Sequence, residues 1–176
     1  MSVIVDKLMK ALDGKMFQYA VDRREKLKFQ KEVVASCKMN YCGMYGKTWM
    51  CPPGVGTLDS LVEKYSKYDN FFVFTTKHNI EDSFDIEGMG VAREEHKKLE
   101  EVAYNALKGE VFVLLSAGGC NICEKCTYPD SPCRFPERSR PSMEACGINV
   151  LELSRDVGIN YINGENTVTY FSLVLF

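Results

Sequence analysis

The stretch VFVLLSAGGCNICEKCTYPDSPC, Val111 to Cys133, joins two patterns that decide how the chain is built. Val111 to Ser116 is a continuous apolar run with β-branched and aromatic members, the composition of a strand buried on both faces. Two glycines and then four cysteines follow, so a core strand carries a cysteine loop to one end of a sheet. Glu32 to Ser36 (EVVAS) reads in the same way, as a short buried strand that runs into Cys37 and a second cysteine loop. In open α/β sheets, ligand sites gather outside the carboxyl ends of strands. If these strands are parallel, two loops far apart in sequence meet at one edge.

Around these two loops the periodicity alternates between helix and strand. Ile4, Leu8, Met9 and Leu12 recur at helical spacing and stop at Gly14. Thr57 has the place of a cap for a helix with Leu58, Leu61, Val62 and Tyr65 on one face. Asn70 to Thr76 (NFFVFTT) has strand composition, and Val91 to Lys108 reads as a helix with Leu99, Val102, Ala103, Ala106 and Leu107 inward, closed by Gly109. Asn149 and Glu152 have capping-box spacing before a helix that stops at Gly158. Thr167 to Phe176 (TVTYFSLVLF) is too apolar for a solvated tail and reads as a sheet strand. The expectation is one α/β domain over residues 1–176, with a central, possibly mixed sheet of about four strands, helices packed on it and two cysteine-rich loops.

A chain of 176 residues that is 45% apolar can build a core without covalent staples, so folding does not account for its eight cysteines. After Met1 the only apolar stretch is Val3, Ile4 and Val5, which Asp6 and Lys7 interrupt, so no signal-peptide core is expected. No later apolar run reaches the roughly 18 residues of a membrane span. The expected place is a reducing cytoplasm, where thiols stay free or are given to metal. There is no basic stripe interleaved with aromatics, which argues against nucleic acid as a partner.

Cys120, Cys123, Cys126 and Cys133 form CxxCxxC with a fourth cysteine after six residues. Three thiolates within seven residues can wrap one face of a cubane, as in bacterial ferredoxins, although those have three residues before the fourth cysteine and a proline directly after it. Zinc also takes four cysteines, but its ribbons use two separated CxxC pairs. A [4Fe–4S] cluster is therefore the first expectation and zinc the alternative. Cys37, Cys42 and Cys51 form the second group. No Asp or Glu lies between Glu32 and Asp59, so hard oxygen ligands are missing there and soft thiolate coordination remains. Cys146, in PSMEACGINV, is expected on or just after a helical turn. Three roles stay open for it: fourth ligand of the first loop, ordinary buried thiol, or bystander to a three-cysteine cluster with one iron free for a small molecule.

Other residues carry less signal. His96, in REEHKK, reads as a solvated helix residue; His78 follows a strand and is undecided. Arg134, Arg138 and Arg140 read as a solvated charged loop around Glu137. Tyr45 and Trp49 shield the first metal group or simply pack. There is no P-loop, dinucleotide fingerprint or zincin helix.

CxxYGxxWxCPP from Cys42 to Pro53, GGCxxCxxC and the downstream PSMEACGI together resemble an archaeal and bacterial family of cysteine-rich predicted metal-binding proteins, over about Cys37 to Leu153. The resemblance implies iron–sulfur or other metal binding in mostly anaerobic organisms, and no established reaction. It carries Cys37, Cys42 and Cys51 into a first ligand group and Cys120, Cys123, Cys126 and Cys133 into a second; Cys146 stands outside its cysteine positions. The functional expectation is a protein with one or two [4Fe–4S] clusters that passes electrons to a redox protein partner. The alternatives are an enzyme or maturation factor that binds a small molecule at an open-site cluster, and a zinc-stabilised interaction module.

Overall fold

A computed structural model describes residues 2–176. The elements run α1 (Val3–Leu12), β1 (Tyr19–Arg23), α2 (Lys31–Cys37), α3 (Leu58–Tyr65), β2 (Asn70–Asn79), α4 (Ile86–Ala106), β3 (Val113–Leu115), α5 (Val150–Asp156) and β4 (Thr167–Leu175). The four strands form one sheet in the order β1-β2-β4-β3, and every ladder is antiparallel. None of the helices is long and apolar enough to cross a membrane among the described residues.

Alternation along the strands fills a core on each face. Phe72 and Phe74 of β2, Val174 of β4 and Leu114 of β3 turn to α1 and α4, where they meet Leu8, Leu12, Leu99 and Leu107. Their neighbours Phe71, Val73, Leu173 and Leu115 turn the other way, to Leu61 and Tyr65 of α3 and to Val150 and Leu153 of α5. A sheet covered on both faces needs apolar residues at every position, which is why Asn70–Thr76 and the end of β4 read as unbroken apolar runs. At about 25 cal/mol per Å² of apolar surface removed from water, these two clusters carry most of the stability.

Several expectations hold. Gly14, at φ 66°, follows α1, and Gly109 and Gly158 follow the ends of α4 and α5 with positive φ. Thr57 and Asn149 cap α3 and α5 by accepting from the backbone N–H of Ser60 and Glu152.

Others are corrected. EVVAS is not a buried strand: it lies within α2, which has no buried residue. Val33 and Val34 are its only large apolar residues, too few to cover two faces, and a helix satisfies its backbone locally without a strand partner. The sheet also contains no parallel pair of neighbours, so the route by which the two loops were expected to meet does not exist. β1 has a half-exposed alternation, weaker than an apolar run, and was not legible. The expected strand Val111–Ser116 shortens to three paired residues, because its ladder begins where Val113 faces Leu175. α4 starts five residues before Val91, since Asp85 caps it by accepting from Gly88 N at 2.7 Å.

Candidate metal centre

The first loop leaves α2 at Cys37 and reaches α3 after Thr57. Asn40 (φ 54°) and Gly43 (φ 72°) turn it back, and Asn40 Oδ1 accepts from Tyr45 N at 3.0 Å. Gly46 N donates to Pro52 O at 2.9 Å, which closes the loop around Thr48 and Cys51. Cys42 is exposed, Cys37 half-buried and Cys51 buried. Burial raises the thiol pKa of both Cys37 and Cys51, and neighbouring cysteines raise it further: Cys42 and Cys51 for Cys37, Cys42, Cys120 and Cys126 for Cys51. Each thiol therefore stays protonated until a metal displaces the proton.

The second loop follows β3. Cys120, Cys123, Cys126 and Cys133 are all partly exposed, and all four line one small void of about 20 Å³ together with Thr48, Trp49 and Met50 of the first loop. The loop is braced from within: Ser131 N donates to Thr127 O at 3.0 Å and Arg134 Nη1 to Lys125 O at 2.9 Å.

The two loops share a wall. Trp49 Nε1 donates to Ser131 O at 3.0 Å, and the Trp49 ring meets Tyr128 edge-on at 4.9 Å. Gly119 lies against Met44 and Cys51 of the first loop, and a β-carbon on Gly54 would stand 2.6 Å from Thr48 O and 2.8 Å from Tyr128, so glycine at 54 lets the two loops close on one another. Thr48 is 5% exposed and its hydroxyl has no hydrogen-bond partner. Thr48 also lines the void of the four cysteines, a place where a sulfur ligand would accept its proton. The donor set is thus soft, thiol-rich and supplied with an orphaned donor, which fits a thiolate-bound metal group. Among the described residues, no three His, Cys, Asp or Glu side chains converge at the distances a single ion requires.

Cys146 lies apart in character. It ends a 3-10 turn (Glu144–Cys146), is fully buried, and packs in the apolar cluster with Met143 and Ile148. Its Sγ is 3.6 Å from Tyr65 Oη, and burial pushes its thiol pKa up to about 12.

Behind the second loop lies a buried polar network that corrects two readings. His96 is not solvated but 0% exposed, and Arg140 is 7% exposed rather than part of a charged surface loop. The sheet face under α4 is apolar at one end and carries Thr76, Ser172 and Ser116 at the other. Glu100 and His96, one turn apart on α4, meet these hydroxyls. Glu100 accepts from Ser116 Oγ and Ala117 N at 2.9 Å and from Ser172 Oγ at 2.6 Å, with Arg140 Nη1 at 3.5 Å. Arg140 Nη2 also donates to Glu101 at 2.8 Å.

His96 Nε2 lies 2.8 Å from Ser172 Oγ, and Nδ1 lies 2.7 Å from Thr76 Oγ1. Because Ser172 gives its only proton to Glu100, His96 donates from Nε2 and accepts at Nδ1. Thr76 in turn accepts from His78 Nε2 at 2.8 Å. Burial, followed by the nearby His78 and Lys97, lowers the His96 pKa to about 3, so its ring is neutral. The periodicity that turns Leu99 and Ala103 inward also turns residues 96 and 100 inward, and this was the signal available for them.

The fold is of mixed α/β architecture, with two cysteine loops held against one another. The profile of one family matches residues 23–176, and the chain belongs to that family, described as "Predicted metal-binding protein (DUF2284)". No curated protein and no solved structure matches the chain.

Proposed function

We propose that the two loops hold iron–sulfur clusters and that the protein transfers electrons in the cytoplasm of anaerobic cells. The observation that carries this reading is the void lined by Cys120, Cys123, Cys126 and Cys133 and by the unpartnered Thr48 hydroxyl. These four cysteines are the ligands of one cluster, and Cys37, Cys42 and Cys51 the protein ligands of the other. When bound, such clusters accept and release single electrons.

The chain's own residues do the rest. Trp49, Met44 and Tyr128 pack between the loops and exclude water from one side. The Lys97 ammonium, 2.9 Å from Gly119 O, sets a positive charge beside Cys120 against the charge of its thiolate. Cys42 is exposed, and Met39 and Tyr41 beside it are 58% and 89% exposed, an apolar rim suited to a docking redox protein.

The competing reading is structural zinc, favoured by the small void of about 20 Å³, which a cubane fills only if the exposed side of the loop moves outward. Metal and acid-labile sulfide in anaerobically purified protein decide between them. The expected result is about four irons and four sulfides per filled cubane, eight of each for two. Stoichiometric zinc without sulfide would overturn the cluster reading.

A further inference from the structure

Strand β1 is one edge of the sheet, and its ladder with β2 fixes which of its backbone groups turn outward. Thr75 N donates to Gln18 O and Arg24 N to Asp69 O, so Gln18 and Arg24 hold hydrogen-bonded positions, and in the same register so do Ala20 and Asp22. The N–H and C=O groups of Tyr19, Val21 and Arg23 therefore point away from the sheet. Arg23 N is sealed by Asp22 Oδ1 at 2.8 Å, whereas among the described residues the outward N–H groups of Tyr19 and Val21 donate to nothing. We propose that this edge pairs antiparallel with the same edge of a second copy, making a two-fold dimer in which one sheet runs through both copies.

The side chains beside the free donors are apolar and uncovered. Tyr19 is 48% and Val21 43% exposed, and Tyr19 stacks on Phe72 at 5.6 Å with the rest of its ring open to water. An open trough of about 630 Å³ runs beside them, between β1 and α1, with Val5, Met9 and Phe176 in its lining. Proteins blunt a bare edge with a proline, an outward lysine or a covering segment. β1 carries charge only at its carboxyl end, in Asp22 and Arg23.

The edge is complementary to itself, and this selects a second copy as its occupant. Only residues whose N–H and C=O groups face outward can exchange bonds across the new ladder. Setting Tyr19 against Val21 of the partner subunit uses every free donor: Tyr19 N–H donates to the partner's Val21, Val21 N–H donates to the partner's Tyr19, and the two-fold repeats both. The same register places an aromatic ring across from a β-branched side chain on each side of the axis, a favourable cross-strand pair. Further along, Asp22 comes opposite the partner's Gln18 and Arg23 opposite the partner's Phe17, so no like charges meet.

An isologous contact closes on itself. The opposite edge offers no site for further growth, because β3 spans only three residues and Ser116 N just beyond it is taken by Pro141 O at 2.9 Å. The product is a dimer and not a filament. The second cysteine loop follows β3, at the far edge from β1, so the pairing leaves that loop free and does not depend on any metal.

Sedimentation of the 176-residue chain over a concentration series up to about 100 µM reads the association directly, and a dimer is expected. Val21→Pro removes an outward donor and no bond of the protomer's own sheet. It is expected to keep native far-ultraviolet dichroism and to raise the dissociation constant about tenfold or more. Tyr19→Glu and Val21→Lys are each expected to weaken the dimer. Combined in one chain, they set opposite charges against one another across the axis and are expected to bind tighter than either single variant. A native chain that sediments as a monomer throughout overturns the proposal, and so does a Val21→Pro dimer of undiminished affinity. A double variant no tighter than the single ones overturns the pairing of Tyr19 with Val21.

Discussion

Glu100→Ala tests whether the network behind the second cysteine loop holds that loop in place. The carboxylate accepts from Ala117 N, three residues before Cys120, and from two serine hydroxyls, and it faces Arg140. Removing it leaves the Ala117 N–H buried without an acceptor, a loss of about 1–3 kcal/mol. Breaking a buried ion pair from one side costs about 3–5 kcal/mol. Arg140 keeps Glu101 at 2.8 Å, and its contact with Glu100 is long at 3.5 Å, so the lower end applies. The serine hydroxyls can rotate to other acceptors and add little. The expected total is about 4 kcal/mol, or roughly 8–16 °C in melting temperature for a domain of this size. Glu100→Gln keeps one acceptor oxygen for Ala117 and Ser172 and should lose only about 1–2 kcal/mol. Urea unfolding followed by far-ultraviolet circular dichroism, with metal removed from all three proteins, gives both numbers without linkage to metal binding. A loss below about 1 kcal/mol for Glu100→Ala would refute the network as the anchor of the loop.

Three further outcomes are expected. His96 stays neutral in the fold down to about pH 3, whereas in the unfolded chain it takes up a proton near its ordinary pKa of 6.5, so stability is lost as pH falls through that interval. The slope is about 1.4 kcal/mol per pH unit, and the urea stability of His96→Gln measured across the same interval should fall less steeply than that of the native protein. Gly54→Ala places a β-carbon 2.6 Å from Thr48 O and 2.8 Å from Tyr128, which drives the two loops apart; metal content per chain should drop while far-ultraviolet dichroism stays native, and full occupancy would contradict the shared wall. Cys146→Ser should retain its metal and lose about 1–2 kcal/mol for burying a hydroxyl in an apolar cluster, as measured by metal content, spectrum and unfolding together; loss of half the iron would make Cys146 a ligand.

The elements legible in the sequence are those whose side chains repeat the period of the backbone and are buried. β2 and β4 carried unbroken apolar runs because both faces are covered, and α3 and α5 carried their caps in Thr57 and Asn149. EVVAS misled because two valines imitate a strand in a segment with no sheet edge to join. The proximity of the two loops was expected from parallel strands and is reached otherwise, through Trp49, Tyr128 and Gly119. Charged letters concealed the polar network: in REEHKK Arg93, Glu94, Glu95 and Lys98 face water, while His96 itself takes the inward place four residues before Glu100. The hydroxyls that receive it sit on β2, β4 and just after β3, and no local pattern links residues 76, 116 and 172.

The position of β4 governs the order in which the protein can be completed. It is translated after β1, β2 and β3, yet it lies between β2 and β3 and is the partner of both. On the ribosome, β2 and β3 therefore wait with unpaired edges, and Ser172 is missing from the contacts around Glu100. Until β4 arrives, the strand that launches the cysteine loop has no sheet to anchor it, and its apolar edges are open to misassociation. The cysteine loop after β3 therefore gains an anchored strand only once translation has passed residue 175.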